Sequence, residues 1–129
     1  MLNIVKHFWL LITVKKYIKK YKLKVKIDNH FNCLRITTAT NCLYFIIHTK
    51  KCNYGKKVKK IRRNNVSAQI ILLTPNVDYK RIFNEHLELL GVIDIKKSLA
   101  GFTNEISGYL DYFFNIEKVH YLHVHVNCT

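Results

Sequence analysis

The chain has 129 residues, of which 49% are hydrophobic, so it is long enough to bury one core without disulfides or metal, and its composition excludes intrinsic disorder. Its formal net charge is +14, distributed unevenly: residues 1–66 hold 17 Lys or Arg and one acid, whereas residues 67–129 hold 5 against 7 acids. The longest apolar run near the start, residues 8–12, is too short to span a bilayer, and no cleavage site for a signal peptide follows it. The sequence therefore predicts a cytoplasmic protein that makes no membrane contact.

The first third of the chain has three recognisable patterns. Residues 1–6 form a short apolar segment that fits a first strand, and residues 8–21 repeat apolar side chains at helical spacing. In residues 22–27 Leu, Val and Ile alternate with Lys, which predicts an edge strand with a basic outer row. Residues 28–41 show no clear period and are poor in helix formers.

Two apolar runs in the middle of the chain predict strands that are buried on both faces. The first is residues 43–47, followed by a loop and a helix that begins at Gly55. The second is residues 70–73, closed by Thr74 and a Pro-Asn turn signal. Asp78 can cap the next helix, which Gly91 ends, and residues 92–95 form another strand. Strand, helix and strand over about thirty residues indicate a parallel βαβ unit.

The last helix is predicted from Thr103, which can cap it, to Phe114, and residues 121–126 alternate weakly enough to be a strand or a disordered tail. Taken together, the pattern predicts an α/β domain over residues 1–117 with a tail at 118–129. The sheet is expected to be five-stranded, parallel and doubly wound, with helices on both faces and a distorted N-terminal third.

The βαβ unit resembles the receiver domain of bacterial response regulators, in particular the AgrA/ComE branch, whose output is a LytTR DNA-binding domain. Thr74 matches the switch Thr that ends the family's fourth strand, and Lys96, at the family's spacing, matches the Lys that ends the fifth. Residues 43–47, 55–63 and 106–114 are similar to the third strand, third helix and fifth helix. The resemblance covers residues 40–117. It implies a flavodoxin-like fold and a role in two-component or quorum-sensing control of transcription. It also requires the second helix at residues 28–41, where we expect a distorted or lost helix.

The family's acidic pocket is missing from this sequence. Ile47 stands at the position of the phosphoacceptor Asp, and Lys6, His7 and Phe8 occupy the neighbourhood of the family's acidic pair. No carboxylate precedes Asp28, so hard oxygen ligands for Mg²⁺ are lacking there. The resemblance therefore implies a pseudo-receiver without phosphotransfer, Mg²⁺ or another cofactor, and without an output domain. Alternatively, Thr74 only ends a strand and Lys96 is a solvated charge.

Other catalytic and metal-binding patterns are weak. The glycines stand alone rather than in a phosphate-binding loop, and no nucleophile–base motif is present, so we do not expect an enzyme. The cysteines lack CxxC spacing, which favours idle thiols. His-x-His spacing near the C-terminus suits zinc or nickel, but the set matches no known site and we predict none. That set is His120, His123, His125 and Cys128.

Two kinds of partner remain open. As in receivers, the face built from the fourth helix, fifth strand and fifth helix, here residues 78–114, can bind a protein or a second copy through Tyr109 and Phe113. The alternative function is a basic domain that binds nucleic acid without sequence specificity. The residues that would contact phosphates are Lys15, Lys16, Lys19, Lys20, Lys56, Lys57, Lys59, Lys60, Arg62 and Arg63. The same charge also fits solvated lysines in a protein from an AT-rich genome.

Overall fold

The computed structural model describes residues 2–30, 32–48, 54–75 and 77–127, with side chains described for those between 4 and 115. Four helices and five strands alternate irregularly along these segments. In chain order they are α1 (Leu2–Lys20), β1 (Lys26–His30), β2 (Cys33–Thr37), β3 (Cys42–Ile47), α2 (Tyr54–Asn64), β4 (Gln69–Thr74), α3 (Tyr79–Asn84), β5 (Gly91–Asp94) and α4 (Leu99–Asn127).

The five strands form one mixed sheet in the order β1-β2-β3-β4-β5. Strand β2 runs antiparallel to both β1 and β3, whereas β4 runs parallel to both β3 and β5. The predicted parallel, doubly wound sheet of the flavodoxin type is therefore wrong. Its C-terminal half, β3-α2-β4-α3-β5, has the predicted parallel pairing, but its N-terminal half is an antiparallel meander.

The error arises at residues 28–41, where a helix was expected and a strand is present. In β2, Leu34 and Ile36 are fully buried, while Cys33, Arg35 and Thr37 are half-buried. This is the period-two pattern of a strand with one covered face. Asn32, just before β2, has a φ of 60°, a left-handed conformation that Asn tolerates well. On the face opposite Leu34, the guanidinium of Arg35 binds the carboxylate of Asp28 on β1 at 2.6 Å.

The predicted first strand is also wrong, because residues 2–6 are the first turns of α1. No turn signal separates this segment from the helical pattern that follows, so one helix continues through both. Leu10 and Val14 on α1 are fully buried against the sheet. The predicted edge strand with a basic row is displaced: the edge strand is β1, Lys26–His30, which contains only Lys26 of that row, and residues 22–25 precede it.

Helices cover the sheet on both faces. Because side chains alternate along a strand, β3 and β4 each contribute to two separate clusters. Helices α1 and α4 cover one face, and α2 and α3 cover the other. The larger cluster, under α1 and α4, contains Leu10, Val14, Leu34, Ile36, Leu43, Phe45, Ile47, Ile71, Leu73, Ile93, Ile95, Phe102, Ile106, Leu110, Phe113 and Phe114. The smaller one, under α2 and α3, contains Ile46, Tyr54, Val58, Ile70, Leu72 and Leu87.

Two helices differ from their predicted lengths. Asp78 caps α3 as expected, with its carboxylate accepting a hydrogen bond from the Arg81 N–H, but α3 ends at Asn84 rather than at Gly91. The chain turns at His86, whose φ is 52°, and Gly91 begins β5 instead of ending the helix. Helix α4 begins at Leu99, before Thr103, and its backbone is helical through residues 121–126. Within the described segments, no helix is both long enough and apolar enough to cross a membrane.

Candidate nucleic-acid interface

Helix α2 presents a row of basic side chains to solvent. Its inward positions are apolar: Tyr54 and Val58 are buried, and Ile61 packs beside them on the sheet. The remaining turns are filled almost entirely with Lys and Arg, which a helix accommodates well on its solvent side. We call this row the α2 surface, and it consists of Lys56, Lys57, Lys59, Lys60 and Arg63.

The α2 surface is a patch of positive charge. No acidic residue lies in α2 itself. Between residues that the structure describes, the ion pairs with measured distances are Asp28–Arg35 at 2.6 Å, Arg81–Glu85 at 3.6 Å and Lys97–Glu105 at 2.6 Å. Lys57, Lys59, Lys60 and Arg63 take part in none of these three pairs. Because residues 56 to 63 span roughly 10 Å at the helical rise, the charges form a short continuous strip.

Arg62 has a different role from its neighbours. Its Nη1 donates hydrogen bonds to the carbonyl oxygens of Val66, at 2.9 Å, and Ala68, and its Nη2 donates to the carbonyl of Glu88 at 2.7 Å. The guanidinium thereby ties the end of α2 to the loop before β4 and to the segment before β5. Its donors are directed at the protein backbone, so Arg62 fixes the helix that carries the α2 surface.

The charge of Lys57 also acts on a residue of the sheet, Cys33. Burial raises the pKa of the Cys33 thiol, while the charges of Lys57 on α2 and Arg35 on β2 act in the opposite direction. Both cations therefore lie near one point on β2. Hydrogen bonding to Arg35 also holds the pKa of the Asp28 carboxyl below its usual value. Because its pKa is raised, Cys33 remains a protonated thiol at neutral pH and is a poor nucleophile.

The lysines of α1 lie on the other side of the molecule. Lys15, Lys16, Lys19 and Lys20 are all exposed, but α1 covers the face of the sheet opposite to α2. The ten basic residues predicted from the sequence as one set of phosphate contacts thus form two separate surfaces. A groove between α1 and α4 borders Lys16 and Lys20. Within this groove the hydroxyl of Tyr17 donates a 2.6 Å hydrogen bond to Asp111.

The residues at the predicted receiver positions lie at or just after the carboxyl ends of β3, β4 and β5. Ile47 ends β3 and is fully buried in the larger cluster. Thr74 ends β4, is also buried, and accepts a backbone hydrogen bond from Ile95. Lys96 is exposed, and its backbone N–H donates to the Asp94 carboxylate at 2.8 Å. In the described part of the chain, no cluster of three His, Cys, Asp or Glu side chains could hold a metal ion.

The residues predicted to replace the receiver's acidic pair lie in α1, and Lys6 among them is near the end of β5. The ammonium of Lys6 is buried, donates to the carbonyl of Lys97 at 2.9 Å and lies 4.9 Å from the centre of the Phe102 ring. His7 Nε2 is 2.6 Å from the side-chain oxygen of Asn29. Lys6 therefore joins α1 to the loop after β5. Phe8 points outward and is 59% exposed.

The predicted dimer face is only partly at the surface. Phe113 is 2% exposed and belongs to the core under α1 and α4, so it offers nothing to a partner. The Tyr109 ring is half-buried and lies so close to Gly91 that a β-carbon at that position would fall 2.1 Å from the phenol oxygen. The side chains of His120, His123, His125 and Cys128 lie outside the described residues. Comparison with known proteins adds nothing, because no family model, curated protein or solved structure matches this chain.

Proposed function

We propose that this domain binds nucleic acid without sequence preference, through the α2 surface. The observation that carries the proposal is the solvent-facing side of α2, where four cations are exposed beside Asn64, no acid is present and Arg62 holds the helix in place. Phosphates supply the matching partner because their negative charges repeat at short intervals along the strand. A rigid strip of cations can contact several of them at once.

The chemistry of the strip favours phosphates over bases. Four of its five members are lysines, whose ammonium groups act as point charges rather than as planar forks that match a base edge. Contacts to phosphates position a protein on the duplex but carry no direct sequence information. If all five cations contact phosphates, the logarithm of the affinity falls with the logarithm of salt concentration with a slope of about −4.5.

The protein-contact role expected from the receiver resemblance stays a prediction. The sheet that this role presupposes is not the one present, and Phe113 lies in the core. The α2 surface requires neither feature, because it depends only on which side of α2 faces solvent. For this reason we place nucleic-acid binding first.

The test is fluorescence anisotropy of a labelled random duplex, titrated with salt at constant pH. We expect tight binding at low salt and a steep salt dependence. The triple variant Lys59→Gln, Lys60→Gln, Arg63→Gln should lose most of this affinity and reduce the salt slope by about 3. The matched control is Lys15→Gln, Lys16→Gln, Lys19→Gln, which removes the same charge from the opposite face and should bind like the unmodified chain.

Two results would overturn the proposal. The first is no binding at low salt, which makes the positive charge compositional. The second is an equal loss of affinity in both triple variants, which means that net charge, and not the α2 surface, attracts the duplex. All six positions are solvent-facing, so circular dichroism should show that both variants remain folded.

A further inference from the structure

Helix α1 carries an outward row of side chains that the core does not use. Ile4, Val5 and Phe8 are 67%, 49% and 59% exposed, and the half-buried Ile12 continues the row by one more turn. Beyond Ile12 the same side of the helix is basic and exposed. We call this row the α1 stripe, and it consists of Ile4, Val5, Phe8, Ile12, Lys15, Lys16 and Lys19.

The spacing shows that the α1 stripe is continuous. Ile4, Phe8 and Ile12 are four residues apart, so they stack on one side of the helix. Lys15 and Lys19 follow at the next two turns of that side, while the buried Leu10 and Val14 occupy the opposite side. The stripe runs roughly 22 Å along the helix, apolar in its first half and cationic in its second. Single exposed apolar residues are common, but three within two turns, as Ile4, Val5 and Phe8 are here, are not.

Charge decides which partner fits the stripe. A second copy paired antiparallel would place the apolar half of one helix against the lysines of the other. A parallel pair would bring the lysines of both copies together. Nucleic acid would match the lysines and leave the apolar half without a contact. A surface of anionic lipid matches both halves, because its headgroups attract ammonium groups and its acyl chains accept apolar side chains.

We infer that the α1 stripe lies on an anionic lipid surface, with the apolar half entering the boundary of the acyl chains and the lysines at the headgroups. The lysine stems can lie along the apolar boundary while their ammonium groups remain in the headgroup layer. The sequence predicted no membrane contact because no segment is long enough to span a bilayer, but a helix lying on the surface needs no span. This inference is independent of the proposed nucleic-acid interface, which lies on the opposite face of the sheet.

The chain contains its own reporter for this contact. Its single tryptophan, Trp9, is half-buried on α1 beside Phe8. A tryptophan at the level of the headgroups moves into a less polar environment. We therefore expect vesicles of phosphatidylcholine with phosphatidylserine to sediment the full chain and to shift its tryptophan emission to shorter wavelength. Vesicles of phosphatidylcholine alone should do neither.

Paired variants test each half of the stripe. Phe8→Ser should weaken vesicle binding by about tenfold, whereas Phe83→Ser, at an exposed position on α3 across the sheet, should leave it unchanged. Lys15→Gln with Lys19→Gln should weaken it by about fivefold for each lysine removed. Lys59→Gln with Lys60→Gln on α2 removes the same charge and should have no effect on vesicles.

Several outcomes would overturn the inference. One is no binding to vesicles that contain phosphatidylserine. Another is equal weakening by the α1 and α2 lysine variants, which would indicate attraction by net charge alone. A third is a dimer in sedimentation that Phe8→Ser dissociates, which would mean that a second copy covers the stripe. Duplex binding by the α1 variants separates the two proposals, because it should be retained whether or not the vesicle result holds.

Discussion

Replacing Arg62 with Met should destabilise the fold, although Arg62 lies within a row of basic residues that look equivalent in the sequence. Met keeps the helical propensity and the aliphatic stem but removes the guanidinium. The carbonyls of Val66, Ala68 and Glu88 then lose their donors. Water can reach Val66 and Glu88, whereas Ala68 is buried. We expect the free energy of unfolding to fall by roughly 2–3 kcal/mol, because hydrogen bonds from a charged donor are stronger than average but are partly replaced by water.

The matched control for this experiment is the same substitution one residue later. Arg63→Met removes an equal charge from an exposed position and should change stability by less than about 0.5 kcal/mol. Urea unfolding followed by circular dichroism measures both variants, and the melting temperature of Arg62→Met should fall by roughly 8–12 °C. In duplex binding the ranking reverses, because Arg63→Met removes a phosphate contact. Equal stability of the two variants would refute the structural role of Arg62.

Three further predictions concern the core and its titrating groups. Burial, and then the hydrogen bond to Asp111, raises the pKa of Tyr17, so its folded state holds a proton that the unfolded chain releases above about pH 10. Stability should therefore fall as pH rises beyond that value, and unfolding curves at pH 9 and pH 11 should differ less in Tyr17→Phe. Ile47→Asp should unfold the chain, at a cost of at least about 4 kcal/mol, rather than create a phosphoacceptor; a folded variant by circular dichroism would contradict this. Phe113→Ala should cost about 3–5 kcal/mol in urea unfolding without changing the oligomeric state in sedimentation, and a changed state would return Phe113 to an interface.

The sequence predicts the C-terminal half of the sheet well because its strands are buried on both faces. Residues 43–47 and 70–73 are unbroken apolar runs, which are typical of strands buried on both faces of a parallel sheet. Strand β2 lacks that signal, since its two buried residues alternate with Cys, Arg and Thr over only five positions. The resemblance to receivers also required a helix at this point, and it outweighed a weak period-two pattern. The wrong topology of the N-terminal half follows from that missed strand together with residues 2–6, which were predicted as a strand and belong to α1.

The candidate interface, too, could be predicted from the sequence only in part. Which cations of α2 face solvent follows from the inward positions of Val58 and Ile61, and a helical wheel already places Arg62 beside the inward side. The three carbonyls that Arg62 binds belong to segments distant in sequence, so its role appears only after folding. The separation of the α1 and α2 lysines onto opposite faces depends on which face of the mixed sheet each helix covers. Local patterns do not contain that information.

The contact between α1 and α4 imposes an order on folding. The Tyr17–Asp111 and Lys6–Lys97 hydrogen bonds join residues 94 and 91 positions apart, whereas the β1-β2-β3 meander closes through short loops. Closing a long loop costs more entropy, so we expect amides of the meander to gain protection from hydrogen exchange before those of α1 in pulse-labelled refolding. During synthesis, α1 emerges before α4 and lacks its cover until residues 102–113 have been added. Its apolar face, with Leu10 and Val14, is therefore the part of the nascent chain most in need of a chaperone.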